Sequence, residues 1–187
     1  MFKNILIIGF GMIGSSIART VLKKNKSIKI FAFDKSPNLK IRINKSKLKR
    51  VKVLKSLNEI KDQNIDFIII CTPMLQYQSI FKKLNDIDLQ QTIVTDVGST
   101  KVNIEKIYIQ KKYQFNFIPS HPIAGIEKAG LENGFDGLFT NRYNIICPIK
   151  KSSKIHINNC LLYTSPSPRD QRGSRKPGSG WKKKGGG

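Results

Sequence analysis

Cysteine is scarce in this 187-residue sequence, and so are histidine and acidic residues. The three cysteines, Cys71, Cys147 and Cys160, form no CxxC pair and stand in or beside apolar runs. This usage excludes a dense disulfide framework and gives no support to a thiolate metal site, because both need cysteines at characteristic spacings. We therefore predict reduced cysteines that pack in a core, no bound metal, and a cytoplasmic location.

Long hydrophobic runs are also missing. The apolar segments have the length of strands and are bounded by glycine, proline or charge, whereas a transmembrane helix needs about 20 apolar residues. The N-terminal apolar run contains glycines where a signal peptide would have a small-residue cleavage site. The sequence therefore predicts neither a membrane span nor a secretion signal.

The shortage of acidic residues leaves a formal charge of +22, and such a field attracts polyanions. Seven of the 34 basic residues and one of the 12 acidic residues lie beyond Leu161, so the preceding segment still carries +16. The densest basic stretch, residues 40–55, contains no aromatic residue on which the bases of a single strand would stack. We expect solvated lysines and no specific nucleic-acid partner, and we keep a basic module that engages nucleic acid as an alternative.

The end of the chain has no apolar period. Residues 163–187 are rich in proline, glycine, serine and basic residues, a composition that cannot offset the entropy of ordering. We predict that residues 161–187 are a disordered tail similar to translated vector or adapter sequence, with a native linker as the alternative. Residues 1–155 are then the folded domain.

Glycines interrupt the first apolar run at a meaningful spacing, at Gly9, Gly11 and Gly14. In a strand–loop–helix unit the first glycine makes the turn, the second lets the backbone approach a pyrophosphate, and the third lets the helix pack on the strand. The backbone N–H groups at the helix start, at Met12 and Ile13, would then bind the anion. The pattern predicts a phosphate loop.

A carboxylate at the end of the second predicted strand strengthens this interpretation. Asp34 follows the apolar segment 28–33 and lies 20 residues beyond Gly14, where an acidic side chain can bond the ribose of an adenosine. The loop and the carboxylate together predict a dinucleotide site.

Apolar segments alternate with helical patterns through the rest of the domain. This order predicts an α/β fold with a doubly wound, mostly parallel sheet of the Rossmann type. Ser99 or Thr100 is expected to cap the helix that follows Asp96, and the last strand is expected to close the sheet. The first predicted strand ends at Ile8, and the others span residues 28–33, 51–54, 66–71, 92–96, 116–119 and 142–148.

One of the two histidines follows a predicted strand at the same edge of the sheet. His121 stands between Ser120 and Pro122, where a neutral imidazole could accept a proton from a substrate hydroxyl while a hydride leaves for a nicotinamide. Ser99 could orient that imidazole or contact the same hydroxyl. Asp96 is interpreted as a carboxylate that braces the loop and not as a second base.

Six sequence features of the domain form one combination: GFGMIGSS at residues 9–16, Asp34, CTP at 71–73, DVGSTK at 96–101, HPIAGIEKAG at 121–130 and NRYNIICP at 141–148. Together they resemble the prephenate/arogenate dehydrogenase family of tyrosine biosynthesis, over nearly all of residues 1–150. The resemblance implies NAD-dependent oxidative decarboxylation of prephenate or arogenate, with His121 polarising the ring hydroxyl, Ser99 supporting it, and Thr72 and Pro73 lining the cofactor.

The same family continues into a helical domain that builds the dimer and supplies an arginine for a substrate carboxylate. Nothing after Pro148 resembles it, so we expect this chain to be the cofactor domain with its helical C-terminal domain missing, inactive by itself. A homodimer is expected only with that domain. Another Rossmann-type dehydrogenase, acting on a hydroxy acid or an imine, remains an alternative.

Overall fold

The computed structural model describes residues 2–149, 152 and 154–158. The tail predicted for residues 161–187, and Cys160, lie outside the described residues. The strands of the described part are β1 (Asn4–Ile8), β2 (Lys29–Phe33), β3 (Val51–Val53), β4 (Phe67–Ile70), β5 (Ile93–Asp96), β6 (Asn116–Ile118), β7 (Ser120–Pro122) and β8 (Asn144–Ile146). Its α-helices are α1 (Met12–Lys24), α2 (Leu39–Lys45), α3 (Tyr77–Asn85) and α4 (Val102–Gln110), and 3₁₀ turns span Leu57–Asp62, Met74–Gln76 and Leu131–Asn133.

Six strands form one parallel sheet in the order β3-β2-β1-β4-β5-β6. The chain moves outward from β1 to β3, crosses back to β4 on the other side of β1, and then moves outward again to β6. All four residues of β4 are buried, as expected for a central parallel strand covered on both faces. The prediction of a doubly wound, mostly parallel sheet is confirmed.

The two faces of the sheet carry separate cores. Alternate residues of a strand point to opposite faces, so Ile5 and Ile7 of β1 pack in a cluster with Ala18 of α1 and residues of α2. Leu6 and Ile8 pack in the other cluster, which contains α3 and α4 residues. Among the described residues no helix has the length and apolar character needed to cross a membrane.

Two local predictions were wrong. The segment 142–148 does not close the main sheet: β8 pairs antiparallel with β7 in a separate two-stranded ribbon, with His121 opposite Ile145. Neither Ser99 nor Thr100 caps α4, whose N-cap residue is Lys101, with no side-chain cap hydrogen bond. The Lys101 side chain turns instead towards Asp96.

Residues 130–137 run across α1, and we refer to them as the strap. Two ion pairs, Lys23–Asp136 at 2.6 Å and Arg42–Glu132 at 2.8 Å, connect the strap to α1 and α2. Three hydroxyl groups of α1 add hydrogen bonds, so the segment after the HPIAG loop is tied to the helix that follows the phosphate loop. These bonds run from Ser15 Oγ to the Leu131 carbonyl (3.0 Å), from Phe135 N–H to Ser16 Oγ (3.1 Å) and from Thr20 Oγ1 to the Asp136 carbonyl (3.0 Å).

Candidate functional site

The glycine loop occupies the carboxyl edge of the sheet, between β1 and α1. Gly9 has φ +89°, and a Cβ at this position would lie 2.7 Å from the backbone nitrogen of Thr72. A Cβ on Gly14 would lie 2.5 Å from the carbonyl oxygen of Gly9. Both positions therefore require glycine for the fold: Gly9 for the turn against β4 and Gly14 for packing α1 on β1.

Gly11 differs from its two neighbours. Its backbone is extended, with a negative φ of −81° that does not require glycine, and a Cβ would meet no atom within 4 Å. Gly11 is the N-cap of α1 and its carbonyl accepts the first helical bond, from Ser15 N–H at 2.9 Å. The N–H groups of the first turn, including those of Met12 and Ile13, have no partner within the helix and point along its axis. The helix start is therefore open and positively polarised.

Asp34 links the glycine loop to the end of β2. One carboxylate oxygen accepts the backbone N–H of Phe10 at 2.8 Å, and the other accepts that of Ser36 at 2.9 Å. The side chain is half-buried. Each oxygen retains a second lone pair, so the carboxylate is held in place with acceptor capacity left for a ligand hydroxyl.

Thr72 and Pro73 follow β4 and form the neighbouring wall. The hydroxyl of Thr72 is buried without a hydrogen-bond partner among the described residues, an arrangement that is rare in folded proteins. Pro73 is exposed. An orphaned hydroxyl beside Gly9, an open helix start and a fixed carboxylate fit a dinucleotide bound across this edge.

Asp96, at the end of β5, braces the neighbouring loops, as predicted. Its carboxylate is fully buried and accepts hydrogen bonds from the backbone N–H groups of Gly98 at 3.0 Å and Ser120 at 3.1 Å, and from the Tyr77 hydroxyl at 3.1 Å. Burial, reinforced by the Asp96 charge, raises the pKa of Tyr77, so the phenol remains a donor. The carboxylate thus fixes the residue that immediately precedes His121.

Lys101 is a site residue whose role was not predicted from the sequence. Its ammonium lies 2.6 Å from the Asp96 carboxylate and donates to the Ser120 carbonyl at 2.5 Å. Burial lowers the pKa of Lys101, although the Asp96 charge opposes this shift. A lysine five residues after the acidic residue that ends a strand could have indicated this ion pair. The segment was instead interpreted as the N-cap of the following helix.

His121 lies in the middle of β7, half-buried. Its Nδ1–H donates to the Val97 carbonyl, with the two heavy atoms 3.3 Å apart. This bond selects the tautomer whose Nε2 is an acceptor. Ser99 lies exposed two residues beyond Val97, so the loop that carries Ser99 orients the imidazole through the Val97 carbonyl and not through the serine hydroxyl.

Cys71, at the end of β4, is one of two free cysteines in the described residues, with Cys147. Burial raises the pKa of its thiol, and the Asp96 charge adds to that effect. The thiol therefore stays protonated and acts as a packing group, as predicted for the cysteines of this chain.

The sequence family described as the nucleotide-binding domain of prephenate dehydrogenase matches residues 17–165. Prephenate dehydrogenase of Lactococcus lactis is 32% identical over 148 residues, which cover 77% of this chain and 40% of the relative. Cyclohexadienyl dehydrogenase of Zymomonas mobilis is 29% identical over 150 residues, which cover 79% of this chain and 50% of the relative. This chain therefore spans half, or less than half, of the length of these two relatives.

Solved structures give the same result. Prephenate dehydrogenase of Aquifex aeolicus, in complex with hydroxyphenyl propionate and NAD+, superposes with a TM-score of 0.79 at 28% identity, covering 88% of this chain and 57% of that one. The predicted nicotinamide dinucleotide cofactor agrees with that complex and with the family description. By its fold, its motifs and its matched length, this chain belongs to the family of prephenate dehydrogenase nucleotide-binding domains.

Proposed function

We propose that this domain binds NAD+ and carries the proton acceptor for oxidative decarboxylation of prephenate or arogenate in tyrosine biosynthesis. When bound, NAD+ supplies the hydride acceptor for this chemistry. The hydride leaves the ring carbon that bears the hydroxyl, and His121 accepts the hydroxyl proton. The ring carboxylate leaves as carbon dioxide, the electron pair of the broken C–C bond makes the ring aromatic, and the resulting phenolate oxygen takes its proton back from His121.

The observation that carries the cofactor part of the proposal is the difference between Gly11 and its neighbours. Gly9 and Gly14 are glycines because the fold leaves no room for a Cβ, whereas Gly11 has an ordinary backbone and open space where its Cβ would be. A glycine that the fold does not need is explained by a ligand that approaches the backbone there. The pyrophosphate of a dinucleotide, attracted to the N–H groups of α1, is such a ligand.

The Val97–His121 hydrogen bond supports the catalytic part. Because Nδ1–H is donated to Val97, Nε2 carries the lone pair that would accept the substrate's hydroxyl proton. Asp96 and Lys101 hold Ser120 from both sides, through its N–H and its carbonyl, so the strand that presents His121 is fixed before substrate arrives. Ser99, exposed at the same edge, is placed to contact the substrate hydroxyl in this proposal.

We propose that turnover needs a substrate-binding domain in addition to residues 1–155. The chain spans half or less of the length of its two curated relatives, and the resemblance assigns a substrate-binding arginine and the dimer interface to a helical domain. Without an opposing wall the substrate is neither oriented nor shielded from water, and orientation alone can account for about 7 to 11 kcal/mol of a barrier. A cytoplasmic location and a homodimer of the complete enzyme belong to the same proposal.

A steady-state assay of NADH formation tests the proposal. The 187-residue chain should bind NAD+ but form no NADH with prephenate or arogenate, whereas a chimera carrying the C-terminal half of the Lactococcus lactis relative should turn over one of them. In the chimera, His121→Asn should lower kcat by roughly 10²-fold or more, the scale of a positioned proton acceptor, with NAD+ affinity unchanged. His156→Asn is the matched control. A His121→Asn chimera with normal kcat would remove His121 from the mechanism.

A further inference from the structure

A second cleft lies away from the cofactor edge, between α1, the turn before β3 and the strap. Its volume is about 670 Å³. Lys23, on its wall, is 11 residues beyond Met12 in α1, or roughly 16 Å along the helix axis at 1.5 Å per residue. Lys47 and Lys49, on the opposite wall, precede β3 at the amino edge of the sheet. This cleft is therefore separate from the dinucleotide site.

Positive charge dominates the lining. Five cationic side chains line the cleft, namely Arg19, Lys23, Lys47, Lys49 and Arg50, against the single carboxylate of Asp136. That carboxylate is already paired with Lys23 at 2.6 Å. The exposed side chains of Lys47 and Lys49 have no ion-pair partner in the described part of the chain. The cleft consequently carries a strong excess of positive charge.

Two arginines are fixed in place by the backbone. Arg19 donates from Nη2 to the Ser46 carbonyl at 3.3 Å. Arg50 donates to the carbonyl of Leu22 in α1, at 3.5 Å, and to that of Lys26, two residues beyond α1. The Nε–H of Arg19 is nevertheless buried without a hydrogen-bond partner among the described residues. An arginine held by backbone carbonyls at the edge of the cleft suits an anionic acceptor.

Part of the lining is apolar. Leu22 and Leu48 border the cleft, and so does Phe135 of the strap, which is 43% exposed. The half-exposed ring offers a stacking surface for one planar group. A nucleic-acid strand would bring several bases, whereas the lining supplies a single ring.

We propose that this cleft binds a small phosphate monoester that carries a planar apolar group. A phosphate monoester is nearly dianionic at neutral pH and matches the fork of an arginine. It therefore neutralises more of the excess positive charge than a single carboxylate does. The phosphate lies against Arg19 and the two lysines, and the planar group lies on Phe135. The inference is independent of the function proposed for the cofactor edge.

Phenyl phosphate is the probe, because it lacks the adenosine that the dinucleotide site would bind. It is titrated into the whole 187-residue chain at constant ionic strength with NAD+ present. The Arg19 Nε–H resonance should shift and saturate with a Kd of about 1 mM or lower. Phenol should cause no shift, and inorganic phosphate should bind more weakly than phenyl phosphate.

Charge variants distinguish a specific binding site from nonspecific electrostatic attraction. The double variant Lys47→Gln, Lys49→Gln changes two exposed side chains and should weaken phenyl phosphate binding about tenfold or more. The control pair Lys82→Gln, Lys106→Gln, exposed on α3 and α4, should leave the Kd unchanged. No saturable Arg19 shift, or equal weakening in the control pair, overturns the proposal. Tighter binding of a short thymidine oligonucleotide at the same resonance overturns it in favour of nucleic acid.

Discussion

The carboxylate of Asp96 and the ammonium of Lys101 form an ion pair of 2.6 Å in which Asp96 is fully buried and the Lys101 side chain is 14% exposed. The same lysine donates to the Ser120 carbonyl, and the same carboxylate accepts the Ser120 N–H. The pair therefore joins the loop after β5 to the strand that carries His121.

We expect Asp96→Asn to be strongly destabilising, because it leaves the Lys101 ammonium buried without a counter-charge. Breaking a buried pair on one side costs about 3 to 5 kcal/mol. Chemical denaturation should show a loss of this size in the free energy of unfolding. The exposed Asp62→Asn should change that free energy by about 0.5 kcal/mol or less.

The double variant Asp96→Asn, Lys101→Met should recover much of the loss, since both charges are then gone. The single variant Lys101→Met completes the comparison. If the loss of unfolding free energy in the double variant equals the sum of the losses in Asp96→Asn and Lys101→Met, the two side chains act independently and the ion pair does not stabilise the fold.

We expect the domain to prefer NAD+ over NADP+ by about tenfold or more, because the Asp34 carboxylate accepts a bond from a free 2′-hydroxyl and repels a 2′-phosphate. Asp34→Asn keeps an oxygen that can accept the Phe10 N–H but removes the charge, so it should erase most of the preference. Calorimetric titration of both cofactors measures this. Equal or tighter binding of NADP+ by the unchanged chain would rule out the role given to Asp34.

The strap should loosen in acid. Hydrogen bonding to Arg42 lowers the pKa of Glu132, and hydrogen bonding to Lys23 lowers the pKa of Asp136. A lowered carboxylate pKa contributes stability that is present above the unfolded value and is lost as pH falls through the folded value. The ordinary values are 4.5 and 3.8, so the loss sets in below about pH 4.5.

Hydrogen exchange checks this through the Gly134 and Phe135 amides, which donate to the Leu131 carbonyl and to Ser16 Oγ. Their protection factors should fall between about pH 6 and about pH 3, while those of β4 stay unchanged; the change is small because both pairs are at the surface. The double variant Glu132→Gln, Asp136→Asn should have lost the pH dependence. A wild-type strap equally protected at both values would contradict the interpretation.

The parts of the fold that were predicted from the sequence are those determined by local contacts and local composition. Gly9 makes a turn with positive φ, Gly14 packs against Gly9 and Ile7 within the same strand–loop–helix unit, and the buried run of β4 is specified by its own composition, so these features were predictable. The position of β8 was not, because its three residues suit either an edge of the main sheet or a ribbon, and long-range pairing with β7 decides between them.

The same distinction holds at the site. Gly11 and Asp34 follow from motif spacing, whereas the network of Asp96 depends on bringing Tyr77, Lys101 and Ser120 to one carboxylate from three separate segments. The orienting bond of His121 comes from the Val97 backbone carbonyl, and a backbone acceptor leaves no trace in residue identity. The sequence therefore pointed to the side chain of Ser99 as the group that orients His121, whereas the backbone carbonyl of Val97 does so.

The variant Gly11→Ala tests whether a dinucleotide lies against Gly11. The backbone accepts alanine and the added Cβ meets no protein atom, so the variant should fold with a melting temperature lowered only slightly, because alanine is a poorer N-cap residue than glycine. The added Cβ enters the space of the pyrophosphate. Gly125→Ala, at another position with open space, is the matched control. In a calorimetric titration with NAD+ we expect the affinity of Gly11→Ala to fall about tenfold or more and that of Gly125→Ala to be unchanged. A folded Gly11→Ala variant that binds NAD+ as tightly as the unchanged chain would show that the dinucleotide does not lie against Gly11.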